Sequence, residues 1–265
     1  MRVLVAGHSG LDKHKWIKAL NSYIGDRAGK VLTLDFDSMM SESMPYFLDS
    51  YLEKQKNRWY ETVNQILSRI EKEQPDHVII SMHLTYFRHN TYWSLIDANA
   101  LKEFKFDMIL TLIDDAYSVW NRITSRESKE RHGVYIRLRD VFVWRTVEIM
   151  MADMLATVLG VRNYVMAIKH PVETFYKIIF TKLPKAYLSH PISHVRDNSK
   201  AVREINEFAK RLREVIVLFE PTTIDELIIE RNWLSGRGAV INKGDTWPID
   251  GDDCDDPIMR KKDVV

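Results

Sequence analysis

The stretch MRVLVAGHSGLDKHKWIKAL, residues 1–20, decides how the rest of the chain is read. Arg2 to Gly7 is a short, β-branched apolar run closed by a glycine, the pattern of a central strand buried on both faces. From Lys13 to Ile24 the apolar residues Trp16, Ile17, Leu20 and Ile24 recur at helical spacing, so a helix follows. A turn between such a strand and helix can hold an anion, because its backbone N–H groups point inward and the helix N-terminus adds partial positive charge. Gly7, Gly10 and Lys13 fall at the first glycine, the second glycine and the lysine of a G-x-x-G-x-G-K-[ST] phosphate loop. Asp12 stands in place of the glycine before the lysine, and His14 in place of the hydroxyl residue after it. The candidate phosphate-binding residues are therefore Gly7, His8, Ser9, Gly10, Lys13 and His14. The plainer alternative is a tight strand-to-helix turn with Asp12 as its N-cap. What separates the two is whether the side chains of Asp12 and Lys13 leave the hollow of the turn open.

Outward from this unit the chain alternates. Lys30 to Phe36 reads as a second strand and Pro45 to Lys72 as a long helix. DHVIISMHLTYF (76–87), FDMILTLID (106–114) and NYVMAIKHP (163–171) read as further buried strands, with a short helix over 93–104. The methionine-rich VEIMMADMLATVLG (147–160) reads as a core helix. Strands separated by helices imply right-handed crossovers and a mostly parallel sheet covered on both faces. Near Phe180 the pattern restarts: KAYLSHPIS is a strand, DNSKAVREINEFAKRLRE a capped amphipathic helix and VIVLFEP another strand, a second βαβ unit. The expected organisation is an α/β domain over 1–180 and a small α/β unit over 181–265 that stops partway through a fold. After Gly236 it runs into a polar tail with few apolar residues to anchor it.

Composition narrows the functional classes. The chain has 265 residues and 45% hydrophobic content, enough for a sizeable core. Its 38 Lys and Arg against 37 Asp and Glu leave a net charge of +1, so no overall field draws it to nucleic acid or an anionic membrane. The single cysteine, Cys254, has no partner for an internal disulfide. With no leader-like start and no apolar run approaching the roughly 20 residues of a membrane span, the expectation is a cytoplasmic protein. His77, His83, His89 and His170 show no shared metal-ligand spacing, so no metal site is assigned to them.

The order of segments over the first 180 residues resembles the P-loop nucleotide kinases, above all the short archaeal-type adenylate kinases. VIISMHLTY keeps a histidine, His83, where the family has D-x-H, with Ser81 at the aspartate position. DMILTLIDDAYSVWNRI resembles the family segment that ends in a lid-opening arginine, here Arg122. TSRESKERHGVYIRLRD resembles a kinase lid, and NYVMAIKHPVETFYKII the terminal strand and helix beside the adenine. The resemblance implies a nucleoside triphosphate such as ATP on the loop, Lys13 at its β/γ-phosphates, and Arg122 and Arg126 closing over the transferred group. Asp35 and Asp37 of LDFDSMM and His83 are placed at the second substrate. Because Ser81 and His14 replace both residues that anchor Mg²⁺ in the family, metal dependence is expected to be weak. The run from Arg122 through Arg126, Arg131, Arg137 and Arg139 is interleaved with Glu127, Glu130 and Asp140, so a solvated mixed-charge face is its alternative reading.

The second unit resembles the opening of the nucleoside 2-deoxyribosyltransferase and N-glycosidase family, in which a Y-L-[AS]-x-P-I strand end sets a tyrosine beside the sugar. Tyr187, Ser189, Pro191 and Ile192 match it. The family's catalytic glutamate has no counterpart; Glu220, Asp225 and Glu226 are the nearest acidic residues. Three functions remain open from the sequence: a nucleotide-binding P-loop protein transferring phosphoryl to a nucleoside or nucleotide, a nucleotide N-glycosidase or deoxyribosyltransferase with a regulatory kinase-like domain, and a non-catalytic nucleotide-sensing module whose candidate assembly is a homo-oligomer. The last would use aromatics such as Trp59, Tyr60 and Trp93 as contact points.

Overall fold

A computed structural model of the chain describes residues 1–44, 47–130, 136–189, 198–220, 240–242 and 245–246. Five parallel strands make one sheet: β1 (Arg2–Ala6), β2 (Val31–Asp35), β3 (His77–Met82), β6 (Met108–Ile113) and β7 (Arg162–Ala167), in the order β2-β3-β1-β6-β7. β1 lies between β3 and β6, with Leu4 level with Ile80 on one side and Ile109 on the other. Its side chains alternate between two cores, as strand geometry requires. Val3 and Val5 face α1 (Lys13–Ile24), α5 (Ala116–Glu130) and α7 (Val172–Phe180). Leu4 and Ala6 face α3 (Leu52–Glu73), α4 (Ala98–Lys102) and α6 (Leu138–Leu159). The expected α/β class, a parallel sheet with helices on both faces, is present.

The helices form where an apolar stripe meets the sheet. On α3 that stripe is Trp59, Val63, Ile66 and Ile70, and the helix stops at Gln74 in a left-handed turn with φ 46°. Trp59 is almost fully buried, not an exposed contact aromatic, and its truncation to alanine is worth about 3–5 kcal/mol by the usual cost of a large core deletion. Several boundaries differ from the periodic reading. Phe36 does not extend β2: Asp35 accepts the Ser38 amide at 3.1 Å, caps, and starts α2 (Phe36–Ser43). A 3-10 turn over Phe47–Asp49 precedes α3, so the long helix begins at Leu52. The run 76–87 is two pieces, because the chain leaves the sheet after Met82 and returns as a hairpin of β4 (Tyr86–Arg88) and β5 (Thr91–Trp93). Trp93 therefore sits on a strand. The methionine-rich helix is core on one face only: Ala152, Leu155 and Ala156 are buried, whereas Met150, Met154 and Val158, spaced four apart, point outward.

β8 (Lys185–Tyr187) pairs in parallel with β9 (Val217–Phe219), joined through α8 (Ser199–Val215). This unit leans on the first: Val217 belongs to the core cluster of α1 and α7, and Phe219 stacks on Tyr164 of β7 with ring centroids 6.4 Å apart. A further short pair, β10 (Val240–Asn242) and β11 (Asp245–Thr246), is antiparallel. No helix among the described residues is long and apolar enough to cross a membrane.

Candidate functional site

The carboxyl ends of β1, β2 and β3 open onto a cleft of about 380 Å³ whose walls include the whole turn from His8 to His14. Crevices beyond the carboxyl ends of parallel strands are where ligands bind in open α/β sheets. The turn keeps its shape in spite of Asp12. That residue has φ 56° and ψ 36°, the left-handed conformation that glycine adopts freely and aspartate tolerates. Its carboxylate does not cap α1 and instead pairs with Lys15 at 3.1 Å. Gly10 has φ +84°, and a Cβ there would lie 2.7 Å from Ile123 of α5, so packing demands the glycine as firmly as conformation does.

Lys13, the first residue of α1, turns inward. Its ammonium donates to the carbonyls of Gly7 and of Met82, the latter at 3.3 Å, bridging the ends of β1 and β3. Burial lowers its pKa, while the charges of Asp37, Glu148 and Asp35 act in the opposite direction. The ammonium is thus tied to the carbonyls at the ends of β1 and β3, and Lys13 forms part of the wall of the open cleft. His14 is exposed on the rim.

Asp37, on the first turn of α2, faces the cleft and gathers donors. Its Oδ2 accepts the His83 amide at 2.8 Å, and its Oδ1 lies 3.2 Å from His83 Nδ1 and 3.1 Å from the Tyr86 hydroxyl. Burial alone would raise its pKa, but the charge and hydrogen bonds of His83, with Lys13 behind them, hold it below the usual carboxylate range. Burial beside Asp37 pushes the Tyr86 phenol well above its ordinary value, so the phenol stays a donor. Asp35 also lines the cleft while capping α2. His8 is stacked on Trp144 with centroids 5.2 Å apart, and burial drives its pKa down to about 3.

One residue that the sequence did not suggest ties this together. Glu148 of α6, 1% exposed, accepts the amides of Gly7 (3.0 Å), Leu84 (2.9 Å) and Thr85 (2.9 Å) and the Thr85 hydroxyl. It clamps the start of the turn to the segment leaving β3. Burial raises its pKa and Lys13 opposes the rise. Tyr86, Phe47 and Asp49 of the cleft wall were likewise not singled out. Tyr86 follows His83 by three residues, which is the sole local signal; Glu148 stands far along the chain and gives none.

Other candidates lie elsewhere. Arg122 is drawn onto Asp114 at the end of β6, with Nη2 2.5 Å from Oδ2, and does not line the cleft. Arg137 forks onto Asp140 at 2.9 and 3.0 Å. The side chain of Arg126, and Arg131, fall outside the described residues, as do Pro191, Ile192, Asp225 and Glu226. Tyr187 is 64% exposed on β8 and Ser189 is exposed beside it. Glu220 accepts from Arg213 at 2.8 Å. Residue 14 is an exposed imidazole and residue 81 a fully buried serine. Among the described residues no three His, Cys, Asp or Glu side chains converge as a metal site.

No protein-family model matches the chain, and no curated protein matches it. Among solved structures it is similar to shikimate kinase from Acinetobacter baumannii in complex with shikimate, at 12% identity and a TM-score of 0.46 over 67% of this chain and 92% of that one. It is similar to deoxyadenosine kinase from M. mycoides with bound dATP, at 13% identity and a TM-score of 0.42 over 68% of this chain and 97% of that one. A GTPase from Pyrococcus abyssi is similar at 14% identity and a TM-score of 0.35, over 67% of this chain and 95% of that one.

Proposed function

We propose that the chain is a nucleotide-binding protein of the P-loop kinase class that moves the terminal phosphoryl group of a nucleoside triphosphate to a hydroxyl of a nucleoside or nucleotide. The observation that carries this reading is the placement of an ionised carboxylate, Asp37, in the same open cleft as the turn from His8 to His14. Phosphates laid against the turn would meet its amides and the N-terminus of α1, with Lys13 in the same cleft wall. An acceptor hydroxyl beside Asp37 gives its proton to the carboxylate as its oxygen bonds to the γ-phosphorus. The bond from that phosphorus to the bridging oxygen breaks, and the electron pair leaves with the nucleoside diphosphate. Positioning dominates such a reaction, and the Glu148 clamp on Gly7, Leu84 and Thr85 supports it by fixing the turn against β3.

The test is the melting temperature of the chain with ATP, with and without Mg²⁺. A ligand at about a hundred times its Kd stabilises the fold by roughly 2.7 kcal/mol, so a rise of several degrees is expected. Lys13→Met, measured against its own unliganded melting temperature, is expected to lose most of that rise. Absence of a shift with any nucleoside triphosphate ends this reading.

A further inference from the structure

The cleft is not uniform in charge. Past the ends of β2 and β3 its wall holds the carboxylates of Asp35, Asp37 and Asp49 beside the rings of Phe47 and Tyr86. The arginines nearest this wall already have acceptors. Arg88 donates to one oxygen of Asp49, and Arg58 donates to the carbonyls of Met39 and Met40 and to Glu61. Arg88 thereby answers Asp49, so an anionic group brought here meets the like charges of Asp35 and Asp37 in partly desolvated space, which is unfavourable.

His8 gives a second, independent sign. Its Nδ1 lies 2.7 Å from the Ser9 carbonyl, a contact that requires the proton on Nδ1. In the neutral ring Nε2 then keeps its lone pair. That atom is buried in a residue 1% exposed and has no hydrogen-bond partner among the described residues, although His8 forms part of the cleft wall. A buried acceptor with no donor is costly to leave unmet, and a hydroxyl or amino hydrogen on a ligand would meet it.

We propose that the phosphoryl acceptor is a hydroxylated molecule without an anionic group, of the chemical type of a nucleoside or amino sugar, held through its hydroxyl or amino hydrogens by Asp35, Asp37, Asp49 and His8. This rests on the reading of the turn as the holder of the donor's phosphates. It narrows that reading, because a nucleotide or a sugar acid is rejected as acceptor.

Calorimetric titration of the full chain with probes paired by a single carboxylate tests it: adenosine against adenosine 5′-carboxylate, glucosamine against 2-amino-2-deoxyglucuronic acid, and glucose against glucuronate. At least one neutral or cationic member is expected to bind, and at least about tenfold tighter than its carboxylate partner, as a like-charge contact predicts. The variant Asp35→Asn removes one of the two carboxylates that no arginine holds, and the amide oxygen it introduces can still cap α2. It is expected to shrink that ratio to about threefold or less. His8→Phe, which keeps a ring against Trp144 and deletes the acceptor, is expected to weaken the preferred probe about fivefold, the worth of one hydrogen bond. Carboxylate probes binding as tightly as their partners, or no probe binding while ATP still raises the melting temperature, overturns the assignment. If ATP fails to bind and the neutral probes still win tenfold, the phosphate reading falls and the acceptor specificity stands.

Discussion

Two groups of carboxylates stand at the carboxyl ends of the parallel strands, on opposite sides of β1, and are treated in opposite ways. At the end of β6, Asp114 is 1% exposed and meets Arg122 at 2.5 Å and Lys169 at 3.0 Å, and Asp115 also pairs with Lys169. Arg145 adds a hydrogen bond to the Asp114 carbonyl at 3.0 Å. Burial would raise the Asp115 pKa, but Lys169 and the Ser118 amide hold it down, and Lys169 is raised in return. Every charge there is answered inside the chain. At the ends of β2 and β3, Asp37 is answered by an imidazole, a phenol and an amide, and its side chain keeps 18% of its surface toward an open cleft. The first arrangement closes a structure and absorbs Arg122, which the sequence had offered to a ligand. The second holds a carboxylate ionised and accessible, which is what a proton acceptor needs.

The widest separation between the two groups should come from paired substitutions. Asp37→Asn keeps an acceptor for the His83 amide, so stability should move by no more than about 1 kcal/mol, while phosphoryl transfer falls by roughly 10²–10⁴-fold for loss of a general base. Asp114→Asn should do the reverse. It leaves Arg122 facing a neutral amide, with Lys169 still paired to Asp115, and destabilises the fold by about 2 kcal/mol, less than the 3–5 kcal/mol of a fully buried pair because Arg122 and Lys169 are 29% and 46% exposed. Its activity per folded molecule should stay within a few-fold. Chemical denaturation and turnover measured on both proteins check this, and equal activity losses would erase the distinction.

How much of this the sequence showed depends on distance along the chain. β1, the turn and α1 are contiguous, and their period and glycines name them correctly, down to Trp16, Ile17, Leu20 and Ile24 as the buried face. Asp35 and Asp37 were offered as candidate carboxylates at the end of a strand read over Lys30 to Phe36, and the strand ends at Asp35 because that side chain caps α2. The strand over 76–87 misled because Leu84, Tyr86 and Phe87 remain buried after the chain has left the sheet, so apolar content alone hid the hairpin. Glu148 was invisible for a stronger reason. A single glutamate in a stretch read as core packing from its methionines carries no sign of its partners, and only the fold brings it within 3.0 Å of Gly7. Arg122 shows the converse: the resemblance offered it as a lid arginine, but the partner that claims it lies eight residues back, just past a strand end.

The two groups should also separate by pH. His8 holds its folded pKa near 3, far below the ordinary 6.5. Below pH 6.5 the unfolded chain takes up a proton on this ring that the native chain does not, so this contribution to stability is complete above pH 6.5 and shrinks as pH falls. The loss is as much as about 1.4 kcal/mol per pH unit, or about 2 kcal/mol by pH 5. Asp115 shifts in the same direction, below its own ordinary value of 3.8, so its contribution is present above that value and disappears only at lower pH. Denaturant midpoints between pH 7.5 and 5 should therefore fall in the native chain and fall less steeply in His8→Phe, where the burial-lowered His77 and His170 still contribute, with Asp114→Asn keeping the native slope.

The smallest effect probes the hydroxyl that completes the Asp37 group. Tyr86→Phe retains the ring that packs against Phe47 and Trp93, with centroids 5.7 and 4.8 Å away, so the wall of the cleft keeps its shape. What is lost is a donor at 3.1 Å to Asp37 Oδ1, worth about 1 kcal/mol. A hydrogen bond to the charged form of a carboxylate lowers its pKa, so deleting this one moves the Asp37 pKa upward. A general base is active only when ionised, and the acid limb of the activity profile should therefore shift to higher pH while the plateau rate changes little. A purely structural tyrosine would lower stability and leave that limb in place. The pH profile, read beside the denaturation midpoint, distinguishes a phenol that tunes the base from one that merely fills the wall.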